Sequence, residues 1–319
     1  MSLFHDIAGV AGRVAASCAG SQRLLILTYH RVLAEPDPLL PAEPCRRVFA
    51  AHIALLKRHF SPLALEEATE RLRTRKLPAR AVCVTFDDGY ADNFLNALPI
   101  LESFGVPATC FIATDYMDGG CMFNDRVIEA LRRWPARDID VSWLGLGKLS
   151  LATPGSRHAA VGRILEALKY LQPDERSANA DRMAEAAGAG AACNVMMTET
   201  QVSQLANRGV SIGAHTCSHP ILAKLADAEA RREISESRSR LESLLGRPVR
   251  LFAYPNGRSG RDFTARDVDV VRSAGFSSAV TTDWGCTTPV VDPFLLPRIN
   301  VAGYRGALLG LRLGRYFFS

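Results

Sequence analysis

The segment Ala81-Val82-Cys83-Val84-Thr85-Phe86-Asp87-Asp88-Gly89 is a mostly apolar run that ends in two adjacent carboxylates. A continuous apolar run of this length is typical of a strand buried on both faces of a parallel sheet. In parallel α/β folds, ligands bind at the carboxyl ends of the strands, where Asp87 and Asp88 would lie. Adjacent carboxylates repel each other, and a divalent cation bound by one of them would leave the other free as a base. The alternative is an ordinary turn, because Asp-Gly is a common loop dipeptide.

Similar apolar runs recur along the chain and alternate with helix-like segments. The runs predict at least six strands, among them Leu24–Tyr29, Ala81–Phe86, Val106–Ala113, Val210–Ala214, Val249–Tyr254 and Phe276–Thr282. Strands that are joined through helices of about ten or more residues pair in parallel. The alternation therefore predicts an α/β fold, either a barrel or a wide doubly wound sheet.

The stretch from about 119 to 198 interrupts this alternation with helical segments. We interpret it as a helical insertion within one domain that spans 24–306. The insertion either covers the barrel mouth or only decorates the barrel. Residues 1–23 carry apolar side chains at helical spacing and predict an amphipathic helix. The tail 307–319 is apolar with interspersed arginines, which favours either a surface-lying amphipathic helix or packing against the barrel.

The composition narrows the class of protein. The 319 residues are 48% hydrophobic and 22% charged, as in a packed globular protein and not a disordered or collagen-like chain. No apolar run approaches the roughly eighteen residues of a bilayer span, so we expect no membrane-spanning helix. The net charge of +5 is too small to favour nucleic acid, although an anionic lipid surface stays open. Eight cysteines without a Cys-x-x-Cys pair favour reduced, intracellular thiols.

The segment His215-Thr216-Cys217-Ser218-His219 also follows a predicted strand directly. Two imidazoles four residues apart, each beside a small hydroxyl side chain, suit a borderline metal ion. With Asp88 they would supply three protein ligands and leave one position open, as in catalytic zinc sites. Histidines at this spacing also occur by chance, in which case they belong to the core or the surface.

Two further strand ends carry residues suited to acyl chemistry. His30 ends the first predicted strand, and an imidazole can protonate a leaving amine near neutral pH. The segment 252–257, Phe-Ala-Tyr-Pro-Asn-Gly, can form a rigid loop that presents a backbone N–H to an oxyanion. The alternatives are a structural histidine and a simple Pro-Asn-Gly turn.

The motifs Thr85–Gly89, His215–His219 and Phe252–Gly257 together resemble those of polysaccharide deacetylases of the NodB-homology kind, carbohydrate esterase family 4. The resemblance covers roughly residues 24–118 and 199–300. It implies a distorted (β/α)7 barrel that hydrolyses an acetamide with one divalent metal ion, zinc or else cobalt or nickel.

The resemblance also implies a role for each motif residue. Asp88, His215 and His219 would bind the metal, and Asp87 would be the general base. The family usually supplies the acid from a leucine-x-histidine motif near the C-terminus, but no histidine follows His219. The segment around His30 instead resembles a circularly permuted branch that includes poly-N-acetylglucosamine deacetylases, which implies that His30 is the acid.

The third motif departs from the family pattern. An arginine that holds the base and a tyrosine are usual where this chain has Ala253 and Asn256. We still expect the Asn256 backbone N–H, with Pro255 and Tyr254, to form the oxyanion and substrate-binding loop. Arg298, in another predicted strand, is our candidate for orienting the base, and a structural or surface ion pair is the alternative.

We therefore expect a metal-dependent N-deacetylase that acts on an N-acetylated amino sugar of a polysaccharide or glycan precursor. One alternative is the same barrel acting on a formamide, a cyclic imide or a lipid-linked sugar. Another is a degenerate module that binds glycan without turnover, because the loop arginine is missing and Asp283-Trp284 matches the family's fourth motif poorly.

Asp6 and Arg13 interrupt the N-terminal apolar stripe, which does not favour a signal peptide. We therefore expect a cytoplasmic protein at the inner membrane face, with peripheral contact through its termini. A periplasmic location is the alternative.

Overall fold

Within the computed structural model, which describes residues 22–188, 193–304 and 306–316, seven parallel strands close into a barrel. In chain order the strands are β1 (Leu24–Tyr29), β2 (Ser61–Pro62), β3 (Ala81–Phe86), β4 (Ala108–Ile112), β5 (Asp138–Asp140), β6 (Lys148–Ser150), β7 (Ser211–Ala214), β8 (Leu251–Ala253), β9 (Ser278–Trp284) and β10 (Leu296–Asn300). The order around the barrel is β1-β10-β9-β8-β7-β4-β3, and β3 pairs with β1 to close it. The predicted (β/α)7 barrel is confirmed.

Helices join the barrel strands and cover the outside of the barrel. They are α1 (Arg46–His59), α2 (Leu65–Arg73), α3 (Leu98–Phe104), α4 (Phe123–Arg133), α5 (Pro154–Lys169), α6 (Pro173–Ala186), α7 (Glu199–Asn207), α8 (Asp227–Leu245), α9 (Ala265–Ser273) and α10 (Ala307–Arg315). A π-helical turn, Asn93–Ala97, leads directly into α3. None of these helices combines the length and the apolar character needed to cross a bilayer.

Side chains of the barrel strands alternate between two apolar clusters because successive residues of a strand point to opposite faces. One cluster joins residues of β1, β3, β4, β8, β9 and β10, including Leu24 and Ile26, and therefore fills the barrel interior. The other joins the intervening residues, such as Leu25 and Leu27, to the surrounding helices. This two-residue alternation decides which polar side chains reach the open end of the barrel.

The predicted insertion has an apolar core of its own. Residues of α4, α5 and α6 pack there with Ile139 and Leu149 of the β5–β6 hairpin, which the sequence analysis missed. Cys121 and Cys193, at the two ends of this unit, form a disulfide with their Cα atoms 5.8 Å apart. The expectation that all cysteines are reduced is therefore wrong for this pair, because folding brings together two thiols that lie 72 residues apart in the sequence.

The predicted terminal elements are only partly within the described residues. Residues 1–21, which hold most of the predicted N-terminal helix, lie outside them. The C-terminal helix α10 buries Leu309 and Leu313 against the barrel's outer cluster and exposes Leu308 and Leu311. The division of the chain into 1–23, 24–306 and 307–319 stays a prediction.

Candidate active site

The alternation of side chains along the strands gathers polar residues at the open end of the barrel. Ala81 and Cys83 belong to the interior cluster, and Thr85 and Asp87 continue the same face of β3 and its extension. His30 continues the face of Leu24 and Ile26 in the same way. Because all the barrel strands are parallel, their carboxyl ends lie at one rim. The strand ends therefore place the predicted residues around one cavity.

The loops at this rim contain several residues in the left-handed backbone region. Asp88, Thr216, His219 and Asn256 have φ values of 75°, 63°, 54° and 60°. Such conformations are costly for residues other than glycine, above all for a β-branched threonine. They persist where the surrounding contacts hold them, and they cluster at functional sites. At Asp88 the positive φ turns the chain, so that this carboxylate leaves the outward face that strand alternation would give it.

Asp88, His215 and His219 form one cluster. Each offers a ligand atom, and these atoms all lie within 4.8 Å of one another. The Asp88 Oδ1 is 3.5 Å from the His215 Nε2 and 3.4 Å from the His219 Nε2. The His215 Nδ1 lies 2.7 Å from the Ala253 carbonyl oxygen. A carbonyl only accepts, so the Nδ1 carries the proton and the Nε2 lone pair faces the cluster.

These residues fit a divalent metal ion. Burial lowers the pKa of His219 to about 3, so its imidazole is neutral at neutral pH, as a metal ligand must be. Burial alone would raise the pKa of Asp88, but the neighbouring side chains of His215 and His219 hold it far below its ordinary value. A carboxylate and two imidazoles with one open position are the donor set of catalytic zinc sites.

Asp87 lies beside this cluster and is paired with Arg298 of β10. The Arg298 Nη1 donates to the Asp87 Oδ1 at 2.7 Å, and the Nη2 donates to the Oδ2 at 2.6 Å. Arg298 is 1% exposed, and its Nε and Nη1 also donate to the Thr281 carbonyl and the Thr85 hydroxyl, respectively. Burial would raise the pKa of Asp87, but the charge and hydrogen bonds of Arg298 lower it below its ordinary value.

The loop that carries both histidines is held by a residue that the sequence analysis missed. Glu233 of α8 is 5% exposed and accepts hydrogen bonds from the backbone N–H groups of Cys217 and Ser218, each at 2.9 Å. It also accepts the Ser218 hydroxyl at 2.7 Å. Within the loop, the Thr216 Oγ1 donates to the His215 carbonyl and accepts the His219 N–H. Glu233 is one of several acidic residues of a charged helix, so nothing in the sequence distinguishes it.

The predicted oxyanion loop is only partly at the site. Asn256 lines the cavity, and no acceptor among the described residues pairs with its backbone N–H. Gly257 follows at φ 72°, where a Cβ atom would lie 2.9 Å from the Thr282 nitrogen, so the close turn requires glycine. Tyr254 and Pro255 do not line the cavity. The expectation is wrong for Tyr254, which faces outward, and stays a prediction for Pro255. Tyr254 continues the outward face of β8, and its ring stacks on Phe263 at 3.9 Å between centroids.

His30 lines the cavity on the side of β1. The Asn93 side chain fixes the local backbone by donating to the His30 carbonyl at 2.9 Å. Burial lowers the pKa of the His30 imidazole, but the negative charges of Asp88 and Asp87 outweigh this and raise it above its ordinary value. The protonated form of His30 is therefore favoured next to the two carboxylates.

The cavity around these residues has a volume of about 970 Å³. The insertion forms part of its wall through Phe123, Leu165 and Tyr170, so it borders the site directly. Asp283 and Trp284 also line the cavity, and Trp284 is 52% exposed. A cleft of this size accommodates a ligand much larger than one acetamide group.

The fold and the Asp88–His215–His219 cluster place this protein in the class of α/β barrels that have a polar site at the carboxyl ends of their parallel strands. Residues 74–142 and 164–279, more than half of the chain, match the sequence profile of the polysaccharide deacetylase family. The chain belongs to this family of polysaccharide deacetylases, and its membership supports a hydrolase that acts on amides. The unmatched residues 143–163 lie inside the insertion.

The matches to similar proteins cover most of the chain. YxkH of Bacillus subtilis (strain 168), whose name assigns it to the same family, is 22% identical over 291 residues, covering 90% of this chain and 75% of YxkH. The structure of IcaB from Ammonifex degensii superposes with a TM-score of 0.60 at 19% identity, covering 93% of this chain and 97% of IcaB. Streptococcus pyogenes deacetylase PplD, solved with acetate, gives 0.58 at 19% identity, covering 88% and 92%. At these identities the structures support the fold.

Proposed function

We propose that this protein is a metal-dependent N-deacetylase that hydrolyses the acetamide of an N-acetylated amino sugar in a glycan. The observation that carries the proposal is the convergence of the Asp88–His215–His219 cluster and the Arg298-paired Asp87 at one cavity. Family membership supports the reaction class, and the acetate in the PplD structure is consistent with the same product.

Each residue has a part in this reaction that follows from its position. A divalent ion on Asp88, His215 and His219, which we propose to be zinc or else cobalt or nickel, would polarise the acetamide carbonyl and make water more acidic. Asp87 accepts a proton from the attacking water, and Arg298 keeps this carboxylate ionised and oriented. The Asn256 N–H donates to the oxygen that gains negative charge. His30 then gives a proton to the departing amine.

The pairing of Asp87 with Arg298 weakens the alternative of a degenerate glycan-binding module. One of the two grounds for that reading was the absence of an arginine from the loop after β8. Arg298 reaches the same carboxylate from β10 instead. Formamides and cyclic imides stay open as other substrates, and a substrate panel separates them from acetamides.

The test is acetate release from N-acetylglucosamine oligomers by protein loaded with zinc, cobalt or nickel. We expect release to require the metal and to disappear in Asp87→Asn, which still binds metal by elemental analysis. Asp269→Asn, at an exposed position of α9, is the matched control and keeps full activity. Undiminished turnover by Asp87→Asn would contradict the proposed base, and turnover of the metal-free protein would contradict the metal requirement.

We further propose that the protein acts in an oxidising compartment, the periplasmic alternative of the sequence analysis. The Cys121–Cys193 disulfide supports this location, because structural disulfides are rare in the reducing cytosol. Cell fractionation with thiol labelling tests it. Recovery of the protein in the cytosol with both thiols free would contradict it.

A further inference from the structure

Three cationic side chains line the cavity apart from the proposed catalytic residues. Lys169 is the last residue of α5 in the insertion, and Arg258 and Arg261 lie in the loop after β8. The cations thus come from two separate parts of the chain that meet at the cavity wall. Tyr170 joins the two parts, with the Arg261 guanidinium 4.5 Å and the Lys169 Nζ 5.5 Å from its ring centroid.

None of these three side chains forms an ion pair with a carboxylate of the described residues. Within the described part of the chain, no carboxylate lies within 4 Å of the side-chain nitrogens of Lys169, Arg258 or Arg261. Arg298, by contrast, is fully engaged with Asp87. The cations therefore have donors available for a ligand.

The acidic groups nearby are Asp262, Asp283 and Glu166, and two of them have partners elsewhere. Asp262 is fully buried and accepts hydrogen bonds from the backbone N–H of Arg258 and from the Tyr170 hydroxyl. Asp283 accepts the backbone N–H and the hydroxyl of Ser259. Glu166 lines the cavity one turn before Lys169 but forms no ion pair with it. Their hydrogen-bond donors are neutral, so these carboxylates keep their charge, but the oxygens of two of them are occupied within the protein, whereas the three cations keep side-chain donors for a ligand.

The three cations also repel one another. Burial lowers the pKa of Lys169, and the charges of Arg258 and Arg261 lower it further, whereas Asp262 opposes the shift. Holding like charges together costs free energy, and an anion between them would remove this cost. Guanidinium groups also match the paired oxygens of phosphate and carboxylate groups.

We propose that Lys169, Arg258 and Arg261 form an anion subsite, and that the glycan deacetylated here carries a phosphate or carboxylate group. The inference rests on the proposed function, since it concerns the substrate of the same cavity. A volume of about 970 Å³ leaves room for sugar units beyond the one that bears the acetamide. The subsite selects an acidic polymer over a neutral one of the same length.

The test compares three substrates of equal length in acetate-release kinetics. They are a neutral N-acetylglucosamine tetramer, the same tetramer with one 6-phosphate, and a tetramer in which uronic acids alternate with N-acetylglucosamine. We expect a KM at least roughly tenfold lower for one of the charged tetramers, and the better of the two identifies the anion as phosphate or carboxylate. Raising the salt concentration will reduce the preference.

The variants are Lys169→Gln, Arg258→Gln and their combination, with Arg163→Gln as the matched control. Arg163 lies on the exposed face of α5 and does not line the cavity. In the combined variant we expect the KM for the charged tetramer to rise at least tenfold more than the KM for the neutral one. Equal KM values for all three substrates in the wild type, or equal losses on charged and neutral substrates in the variants, would overturn the subsite.

A binding measurement separates failure of the subsite from failure of the proposed function. If none of the tetramers releases acetate, the proposed function fails, and calorimetry with the charged tetramers still tests the subsite. Tighter binding of a charged tetramer that the combined variant loses would support it, and binding that is equal in wild type and variant would refute it. Acetate release from the neutral tetramer without any charge preference would leave the function standing and remove the subsite.

Discussion

Both terminal nitrogens of Arg298 donate to the carboxylate of Asp87, at 2.7 and 2.6 Å, across 211 residues of sequence. The pair is buried, with Arg298 1% and Asp87 2% exposed. Two parallel N–H···O bonds fix both the position and the orientation of the carboxylate. In the proposed reaction, Arg298 would therefore act through Asp87, as a positioning residue.

Removing Arg298 will leave Asp87 as an uncompensated buried charge. We expect Arg298→Met to lose about 3–5 kcal/mol of unfolding free energy, and the double variant Asp87→Asn/Arg298→Met to regain most of it, in urea denaturation. Since Arg298 holds the pKa of Asp87 low, the pair stabilises the protein at neutral pH and stops doing so as pH falls through that lowered pKa. Additive losses in the double variant would mean that the two side chains do not interact energetically.

His30 is expected to serve the chemical step and not metal binding. His30→Gln will lower kcat roughly 10²–10⁴-fold, because the departing amine loses its proton donor, while the metal content by elemental analysis stays near that of the wild type. His158→Gln, at an exposed position of the insertion, is the control. Loss of bound metal in His30→Gln would make His30 a ligand and contradict its role as the acid.

Glu233 is expected to position the loop that carries the two proposed histidine ligands, His215 and His219. Glu233→Gln removes the negative charge of the side chain that accepts hydrogen bonds from two backbone N–H groups. We therefore expect the affinity for metal to fall roughly 10–100-fold. Saturating metal will restore most of kcat, because the catalytic residues themselves are intact. Glu236→Gln, on the exposed face of the same helix, is the matched control. Unchanged metal affinity with a reduced kcat would argue against this positioning role.

Asp125 gives the protein a pH-dependent stability. It is 3% exposed and accepts the Tyr90 hydroxyl, and burial raises its pKa to about 7. The folded state therefore holds a proton that the unfolded chain releases near pH 4, so this group destabilises the fold increasingly as pH rises to about 7. Asp125→Asn mimics the protonated side chain. Its unfolding free energy relative to wild type is expected to increase by roughly 3–4 kcal/mol between pH 4 and pH 8. A pH-independent difference would show that Asp125 does not titrate in this range.

The disulfide is expected to stabilise the insertion and the cavity wall that it forms. In the chain-entropy description, a disulfide between residues 72 apart raises the unfolding free energy by about 4 kcal/mol. Cys121→Ser/Cys193→Ser will therefore unfold at lower denaturant concentration and show a higher KM for glycan, with kcat less affected. The wild type in dithiothreitol will behave in the same way, whereas the variant will not respond to dithiothreitol. A variant that matches the oxidised wild type in both stability and KM would contradict this.

Much of the fold follows from local patterns in the sequence. The predicted strands at Leu24–Tyr29 and Ala81–Phe86 have the bounds that the structure shows. They could be predicted because a strand that is covered on both faces is apolar at every position, so the apolar run begins and ends with the strand. The β5–β6 hairpin was missed because its strands are three residues long and half exposed, with no apolar run. The permuted order of the motifs stays a prediction.

The candidate site was predictable only as a set of motifs. Asp87, Asp88, His215 and His219 each follow a strand, so their common rim follows from parallel pairing. Tyr254 was placed wrongly because motif membership does not show which face of the strand a residue occupies. Counting alternate positions from Leu251 and Ala253, which face inward, would have placed Tyr254 outward.

By itself, the sequence determined the strands, the crossovers and the functional residues at strand ends, because backbone periodicity and burial act over a few neighbouring residues. Only the tertiary structure decided that Arg298 meets Asp87, that Glu233 holds the histidine loop and that Cys121 meets Cys193. These contacts depend on strand order, on register and on closure of the barrel. Those features join segments that lie far apart in the chain, so no local pattern records them.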